Sequence, residues 1–291
     1  MSKFTIEPVK EHIGGIVHID RADILDDEVV AACREALETR TVLVFPEIDL
    51  TDAEQVAFTE KFGERVKFTG TVPGGEGGTE NLYQITLDKE INNEPDYVLG
   101  TWFWHMDGVT IDQPLPKATF LSARTVSEDG GQTQFCSTYA AYEMLPEAEK
   151  AEIENLQVIH RLEASLRTIY RRLSEERLER YRNMASEMVH PLVWTHESGR
   201  KSLILGYHAD EVIGMSYADG HALITRLIEW TGQPEFSYSH QWKKGDFVMW
   251  DNCGAMHRVV PYSADSGRMM HRTTIHGVEK PGHKLEQLET A

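Results

Sequence analysis

Short strand-like runs closed by turns dominate this chain after residue 80, and they constrain its fold more than any other feature. Runs such as NLYQITL, KATFLSARTV and TQFCS are rich in β-branched and aromatic residues and too short for helices. Many short strands with a few helices are typical of two packed sheets. We therefore predict one domain, residues 1–291, mainly β with helical decoration around a double-stranded β-helix (jelly-roll) core. Further strands are predicted within 4–19 and at 41–46, 189–195, 201–206, 235–241, 246–250 and 270–278.

Helical periodicity is found in five segments, at 27–40, 52–62, 138–156, 161–188 and 217–231. Thr51 and Glu54 form a capping box that marks the start of the second helix. The segment 161–188 combines an apolar stripe with many arginines, a strongly basic patch in an acidic protein. Such a charge run is usually a solvated helix face. The alternative is a helical lid insert that closes over an acidic substrate.

The charge balance restricts the partners of the protein. Lysine and arginine number 29 against 47 acidic residues, which gives a formal net charge of −18. This charge repels nucleic acid and anionic lipid, so neither is expected as a partner. The N-terminus has no signal-peptide pattern, no apolar run reaches membrane length, and three cysteines lie far apart. We expect a cytoplasmic protein that acts on a small molecule, and we also expect a homo-oligomer.

Two histidines and one aspartate form a candidate metal site. His105 and Asp107 stand two residues apart, and on an extended strand such residues project to the same face. His257 follows the strand predicted to end at Trp250, from where it can reach the same end of a barrel. Two imidazoles and one carboxylate with open positions are typical of non-haem Fe(II) oxygenases. The HxD pair alone is a weak signal, since such pairs are frequent by chance.

Two arginines strengthen this interpretation. Arg268 and Arg272 follow His257 by eleven and fifteen residues, and their spacing places them on one face of a strand. Two arginines inside a barrel are costly unless anions meet them. A dicarboxylate co-substrate and an acidic substrate would supply those anions. Without the histidines, two surface arginines on an edge strand would be the simpler explanation.

At this point the sequence resembles the taurine and 2,4-dichlorophenoxyacetate dioxygenase family, whose members depend on iron(II) and 2-oxoglutarate. The resemblance runs from LVFPEIDLTDAEQVAFTEKFG to HRTTIHG. Its most specific motifs are WHMDGVT, DGGQTQFCSTYAAYEMLP, HPLVWTHESGRKSLILG and GDFVMWDNCGAMHR. It implies a jelly-roll enzyme that uses Fe(II), 2-oxoglutarate and O2 to hydroxylate an organic acid, releasing succinate and CO2.

The resemblance also implies roles for single residues. His105, Asp107 and His257 match the iron ligands. Thr133 and Arg268 match the residues that bind the distal carboxylate of 2-oxoglutarate, and Arg272 matches the arginine that binds the acidic group of the substrate. Asp251 and Asn252 of the WDN turn are interpreted as structural.

The substrate pocket departs from the taurine pattern. The sulfonate-binding histidine of taurine enzymes falls near Phe68, and its neighbouring tyrosine falls near Thr71. A pocket bordered by Phe68 and Trp102 would be apolar, which favours an aryl or aryloxyalkanoic acid and the phenoxyalkanoate branch of the family. Tyr207 and His208 are further candidate pocket residues, although both also fit a surface loop. If the hydroxylated carbon bears an ether oxygen, the hemiacetal collapses and the ether is cleaved.

Three alternatives remain open. One is a taurine-type alkylsulfonate or sulfate-ester dioxygenase with the same chemistry. Another is a jelly-roll binding protein without catalytic activity, which would have no need of the metal ligands together with Thr133 and Arg268. A metal hydrolase is a weaker alternative, because no extra carboxylate base accompanies the three ligands.

Overall fold

The computed structural model describes residues 4–67, 82–92 and 95–288. The β-strands are β1 Phe4–Pro8, β2 Gly15–Ile19, β3 Val42–Phe45, β4 Tyr83–Ile85, β5 Ala118–Thr125, β6 Thr133–Ser137, β7 Gln157–His160, β8 Met188–Pro191, β9 Val193–Thr195, β10 Lys201–Leu203, β11 Ala209–Val212, β12 Ser237–His240, β13 Phe247–Asp251, β14 Ala255–Val259, β15 Met269–Ile275 and β16 His283–Lys284. The helices are α1 Asp27–Arg40, α2 Asp52–Phe62, α3 Pro95–Leu99, α4 Thr138–Glu143, α5 Glu147–Ile153, α6 Leu162–Leu166, α7 Glu175–Met184, α8 Tyr217–Thr231 and α9 Leu285–Leu288. Short 3-10 turns occupy Arg21–Asp23, Gly100–Trp102 and Ala264–Ser266.

A seven-stranded sheet with the order β1-β2-β3-β13-β5-β15-β4 forms the centre of the fold. Its pairs are antiparallel except for β2 and β3, which run parallel. Smaller sheets of four strands (β11-β7-β8-β16), three strands (β12-β6-β14) and two strands (β10-β9) complete the β-structure. The molecule is therefore sheet-rich, with helices that include α1 and α8.

The two faces of the large sheet bury different cores. Val42 and Val44 point to the face that packs against Phe135 and Ala255 of the three-stranded sheet. Their neighbours Leu43 and Phe45 point the opposite way, toward helices α1 and α2. This alternation follows from the two-residue period of a strand. Since side chains from both sheets share one core, the two sheets pack face to face.

The capping box predicted at the start of α2 is present. The hydroxyl of Thr51 accepts a hydrogen bond from the backbone N–H of Glu54, whose carboxylate accepts from the backbone N–H of Thr51. Such a cap stabilises a helix by about 1 kcal/mol. The helices predicted at 27–40 and 217–231 also have the predicted bounds.

Two predicted helices are wrong, because each is interrupted. The helix predicted over 138–156 is divided into α4 and α5 at Pro146, which lacks the N–H of a continuing helix. The helix predicted over 161–188 is divided into α6 and α7. Ser174 caps α7 by accepting from the N–H of Arg177, and two glutamates follow it in the first turn. In the described part of the chain, no helix is long and apolar enough to cross a membrane.

Candidate active site

An isolated antiparallel bridge brings the two predicted histidine ligands together. The backbone N–H of His105 donates to the carbonyl of His257 at 3.1 Å, and the N–H of His257 donates back at 2.9 Å. The two imidazole rings consequently lie 4.2 Å apart between centroids. His257 lies within β14 and follows β13, which ends at Asp251, one residue beyond the predicted end at Trp250.

Asp107 completes the group. One ligand atom from each of His105, Asp107 and His257 lies within 4.8 Å of the other two. Among the described residues no other set of three such groups comes this close. The Nδ1 of His105 is 2.8 Å from the carbonyl of Phe103, which fixes Nδ1 as the donor and leaves Nε2 as the free ligand atom.

The protonation states of these groups suit a metal ion. Burial lowers the pKa of His257 well below its usual value and, more moderately, that of His105, so both rings are neutral near pH 7. Burial alone would raise the pKa of Asp107, but the Arg272 guanidinium and the two imidazoles bring it to about 2. Metal binding requires neutral imidazoles and an ionised carboxylate. The site therefore fits a divalent metal ion without further proton release.

Arg272 and Thr119 hold the carboxylate of Asp107. The Nη2 of Arg272 donates to Oδ2 of Asp107 at 2.7 Å, and the Thr119 hydroxyl donates to the same oxygen at 3.3 Å. The Nε of Arg272 donates to the hydroxyl of Thr274 at 3.2 Å. We argued from the sequence that an inward Arg272 needs an anion of its own. In the structure Asp107 already supplies one.

Arg268 has the properties of an anion-binding residue. Its side chain is 2% exposed, and its Nη2 has no hydrogen-bond partner among the described residues. The guanidinium lies 4.8 Å above the ring of Tyr262 and packs against Gly131, where a Cβ would come within 3.1 Å of Nε. A buried, unsatisfied guanidinium is costly without an anion. The site therefore fits one carboxylate of a bound dicarboxylic acid.

Thr133 stands two residues after Gly131 and is also buried. Its hydroxyl oxygen accepts a hydrogen bond from the indole N–H of Trp242 at 2.9 Å. Because a hydroxyl carries one proton of its own, Thr133 can still donate that proton to an anion.

A cavity of about 130 Å³ opens beside the three ligands. His208 and Arg272, both predicted from sequence, line it together with His105 and Asp107. Burial, followed by the influence of His105, lowers the pKa of His208 to about 3, so its ring is neutral near pH 7. The apolar part of the wall comes from Ile111, Leu162, Leu166, Met184 and Ala185. Four of these belong to the segment 161–188.

Two predicted pocket residues lie elsewhere. Trp102 packs with Val98 and Tyr262, on the side of Arg268, and it is absent from the wall of the cavity. Its backbone belongs to the 3-10 turn Gly100–Trp102. Tyr207 is 38% exposed and packs edge-on against Phe103. Phe68 and Thr71 lie outside the described residues.

Several residues of the site were missed from sequence. Tyr97 and Thr101 line the cavity from α3 and the turn after it, and Met184 lines it from the end of α7. Thr119 lies in β5 with no motif to mark it. A tyrosine or threonine has many structural roles, so only its position in the fold distinguishes these side chains.

Comparison with known proteins agrees with this geometry. Residues 5–274 match the family model described as taurine catabolism dioxygenase TauD, TfdA family. The chain is 31% identical to an alpha-ketoglutarate-dependent 2,4-dichlorophenoxyacetate dioxygenase of Cupriavidus pinatubonensis, covering 89% of this chain and 93% of that protein. It is 34% identical to an alkylsulfatase of Acinetobacter baylyi, covering 87% and 78%.

A solved structure shows the same fold. The crystal structure of AAD-2 in complex with Mn(II) and N-oxalylglycine is 33% identical, has a TM-score of 0.78, and covers 96% of this chain and 99% of that one. A family match over nearly the whole chain and two relatives above 30% identity point to the same assignment. The chain belongs to the taurine catabolism dioxygenase TauD, TfdA family.

Proposed function

We propose that this 2-oxoglutarate-dependent non-haem iron dioxygenase holds Fe(II) through His105, Asp107 and His257 and uses O2 to hydroxylate an aryl or aryloxyalkanoic acid. The observation that carries the proposal is the convergence of these three ligands, two of which, His105 and Asp107, line a cavity together with Arg272. Iron and 2-oxoglutarate, when bound, supply the oxidation of an unactivated C–H bond, with succinate and CO2 as co-products.

The protein's own residues bind and orient the reactants. Arg268 and Thr133 are proposed to bind the distal carboxylate of 2-oxoglutarate, and the unpaired Nη2 of Arg268 supports this role. A charge-assisted pair in a buried site is stronger than a neutral hydrogen bond. The co-substrate is thereby fixed beside the metal ligands before the acid substrate enters.

Arg272 is proposed to bind the acid group of the substrate while it contacts Asp107. Its Nε and Nη2 are occupied by Thr274 and Asp107, whereas Nη1 has no hydrogen-bond partner in the described part of the chain. A guanidinium has five donors, so Nη1 can bind a second anion. The neutral ring of His208 adds a possible hydrogen bond without a second positive charge.

The apolar wall favours an aromatic or other apolar substrate body. Leu162, Leu166 and Met184 line the same cavity as Arg272. Removing a phenyl-sized apolar group from water stabilises the complex by about 2–3 kcal/mol. The 2,4-dichlorophenoxyacetate dioxygenase among the relatives acts on such an acid, as its name states.

A sulfate ester or alkylsulfonate is the second candidate substrate. The specific observation in its favour is the 34% identity to an alkylsulfatase. A sulfate group would also use Arg272, so the arginine does not distinguish the two classes. The difference lies in the organic part of the substrate, which a panel of acids can resolve.

We further propose that the core is a double-stranded β-helix in a single domain, and that residues 161–188 form a lid. Face-to-face packing of the large and three-stranded sheets supports the first proposal. The second is supported by the position of Leu162, Leu166 and Met184 in the wall of the cavity. The sequence suggested that the arginines of this segment attract the acidic substrate. In the structure Arg161 and Arg167 pair with Asp210, so the proposed lid contacts the site through apolar groups. A cytoplasmic location and a homo-oligomeric assembly stay predictions.

The proposal is tested with a panel of aryloxyalkanoic, arylalkanoic, alkylsulfonic and sulfate-ester substrates, scored by succinate formation with Fe(II) and 2-oxoglutarate. We expect the aryloxy and aryl acids to exceed taurine at least tenfold in kcat/KM, which corresponds to about 1.4 kcal/mol. Faster turnover of taurine or a sulfate ester would favour the second candidate. A binding protein or a hydrolase would form no succinate and show no visible charge-transfer band when Fe(II) and 2-oxoglutarate are added anaerobically.

A further inference from the structure

The hydroxyl of Thr119 lies at the centre of a buried hydrogen-bond network behind Asp107. Thr119 is fully buried in β5. Its Oγ1 lies 3.3 Å from Oδ2 of Asp107 and 2.9 Å from Nδ2 of Asn252. Asn252 is also buried and belongs to the turn after β13.

The chemistry of the groups fixes the direction of this network. Asn252 donates an N–H to the Thr119 oxygen, so the hydroxyl proton must point to another acceptor. Oδ2 of Asp107 lies 3.3 Å from the Thr119 hydroxyl, in a geometry in which the hydroxyl donates to the carboxylate oxygen. Thr274 also lies 3.4 Å from Thr119, but its neutral hydroxyl is a weaker acceptor than the carboxylate oxygen of Asp107 at 3.3 Å. The hydroxyl proton is therefore best placed on Asp107.

The turn that carries Asn252 is held rigidly. The backbone N–H of Asn252 donates to the carbonyl of Lys117 at 2.9 Å, and that carbonyl stands two residues before Thr119. Asp251 accepts from Lys117 at 2.9 Å and from the backbone N–H of Cys253 at 2.9 Å. Since both neighbours of Asn252 are anchored, its amide has little freedom to move.

From these contacts we infer that Thr119 and Asn252 are positioning residues, which orient the carboxylate of Asp107 for the metal through the chain Asn252 Nδ2–H to Thr119 Oγ1–H to Asp107 Oδ2. The inference rests on the metal site of the proposed function and adds two residues to it. Hydrogen-bond partners of metal ligands typically change metal affinity by about 10–100-fold. The 3.3 Å contact is longer than the usual 2.7–2.8 Å, so the lower end of that range, about tenfold, is expected.

The test measures the affinity of metal-free full-length protein for Mn(II) by calorimetry, without turnover. Thr119→Val removes the hydroxyl and keeps the shape, whereas Thr119→Ser keeps the hydroxyl. Thr273→Val is a matched control, because Thr273 is equally buried in β15 but its hydroxyl contacts Thr59 and Gln55. We expect Thr119→Val to bind Mn(II) about tenfold more weakly, with Thr119→Ser and Thr273→Val within about twofold of the unsubstituted protein.

A double-mutant cycle tests the role of Asn252. If Asn252 acts through Thr119, Asn252→Ala weakens Mn(II) binding alone but has no further effect in Thr119→Val. Unchanged affinity in Thr119→Val, or an equal loss in Thr273→Val, would overturn the inference, and so would fully additive effects of Thr119→Val and Asn252→Ala. Failure of the unsubstituted protein to bind Mn(II) would instead overturn the metal site of the proposed function itself.

Discussion

Arg272 donates from Nη2 to Oδ2 of Asp107 at 2.7 Å, so one guanidinium contacts the carboxylate proposed to bind the metal and lines the cavity proposed for the substrate. The same contact helps bring the pKa of Asp107 to about 2, against the effect of burial. Binding of the acid substrate and the arrangement of the metal ligands are consequently linked through a single side chain. Substitutions of Arg272 must therefore be studied at saturating metal.

Arg272→Ala is expected to raise the KM for the acid substrate by about tenfold or more, because a charge-assisted pair to a buried anion is lost. Arg272→Lys keeps the positive charge but loses the planar guanidinium with its paired N–H donors. This variant should therefore give an intermediate KM for the acid. The KM for 2-oxoglutarate should change little when Fe(II) is saturating. Steady-state assays of succinate formation measure both constants, with Arg226→Ala on the exposed face of α8 as the control. An unchanged KM for the acid would show that Arg272 contacts Asp107 but does not bind the substrate.

Alanine at His105, Asp107 or His257 is expected to lower succinate formation by several orders of magnitude, because each removes a ligand of the metal. The far-ultraviolet circular dichroism spectrum should stay close to that of the unsubstituted protein, since these side chains belong to the site more than to the core. His221→Ala, on α8 and away from the cavity, is the matched histidine control. Any of the three variants that keeps near-normal turnover with Fe(II) excludes that residue as a ligand.

Arg268→Ala is expected to raise the apparent KM for 2-oxoglutarate. The loss of a buried charge-assisted pair should weaken binding of the co-substrate by about 2–5 kcal/mol. Thr133→Val should have a smaller effect of about 1 kcal/mol, the value of one hydrogen bond. The KM for 2-oxoglutarate at saturating acid substrate provides the measurement. If Arg268→Ala binds 2-oxoglutarate normally, the distal carboxylate is held by other residues.

Much of this site could be predicted from sequence, for reasons that depend on residue type and spacing. His105 and Asp107 are two residues apart, and their ligand atoms do lie close together, although the strand predicted for them is an isolated bridge at His105 followed by a turn at Asp107. The network through Thr119 and Asn252 could not be predicted, because it joins residues 133 positions apart that only the pairing of β5 and β13 brings together. Trp102 packs with Val98 and Tyr262 instead of lining the cavity, a contact that depends on the fold and that no sequence motif marks. The break in 161–188 could have been predicted from Ser174-Glu175-Glu176, which is a helix N-capping pattern. The apolar stripe along the segment instead favoured one continuous helix.

Acid is expected to destabilise the protein through buried histidines other than the proposed metal ligands. His160 is fully buried, and neither ring nitrogen has a hydrogen-bond partner among the described residues. Burial lowers its pKa well below the usual value, and burial also lowers the pKa of His190 to about 4. In the unfolded chain both imidazoles have a pKa near 6.5. Below that pH the unfolded state therefore binds protons that the folded state does not bind. The free energy of unfolding should be highest above pH 6.5 and fall as the pH decreases toward 4, by up to about 3 kcal/mol for His190.

Urea unfolding at a series of pH values measures this effect. His160→Leu should reduce the slope of stability against pH by about one proton, because the group that charges in the unfolded state is gone. The exposed variant His221→Leu should keep the original slope. A slope that is the same in His160→Leu and in the unsubstituted protein would show that His160 is protonated in the folded state as readily as in the unfolded one.

The last prediction concerns the attachment of the proposed lid. Asp210 is 2% exposed and accepts hydrogen bonds from Nη1 of Arg161 at 2.7 Å and from Nη1 of Arg167 at 2.8 Å. These contacts tie the start of the segment 161–188 to β11. Removing one partner from a buried ion pair is costly, because the remaining charges lose their compensation.

Asp210→Asn should therefore loosen the segment, and limited trypsin digestion should cleave faster at its arginines, between residues 171 and 182. Glu147→Gln is the matched control, because its ion pair with Lys150 is exposed and remote from the cavity. In the unsubstituted protein, an aryloxy acid added with Mn(II) and N-oxalylglycine should slow the same cleavage, since Leu162, Leu166 and Met184 would then pack against the bound acid. Cleavage that is equally fast with and without these ligands would argue against a lid and for a static helical segment. Equal cleavage of Asp210→Asn and Glu147→Gln would show that Asp210 does not hold the segment in place.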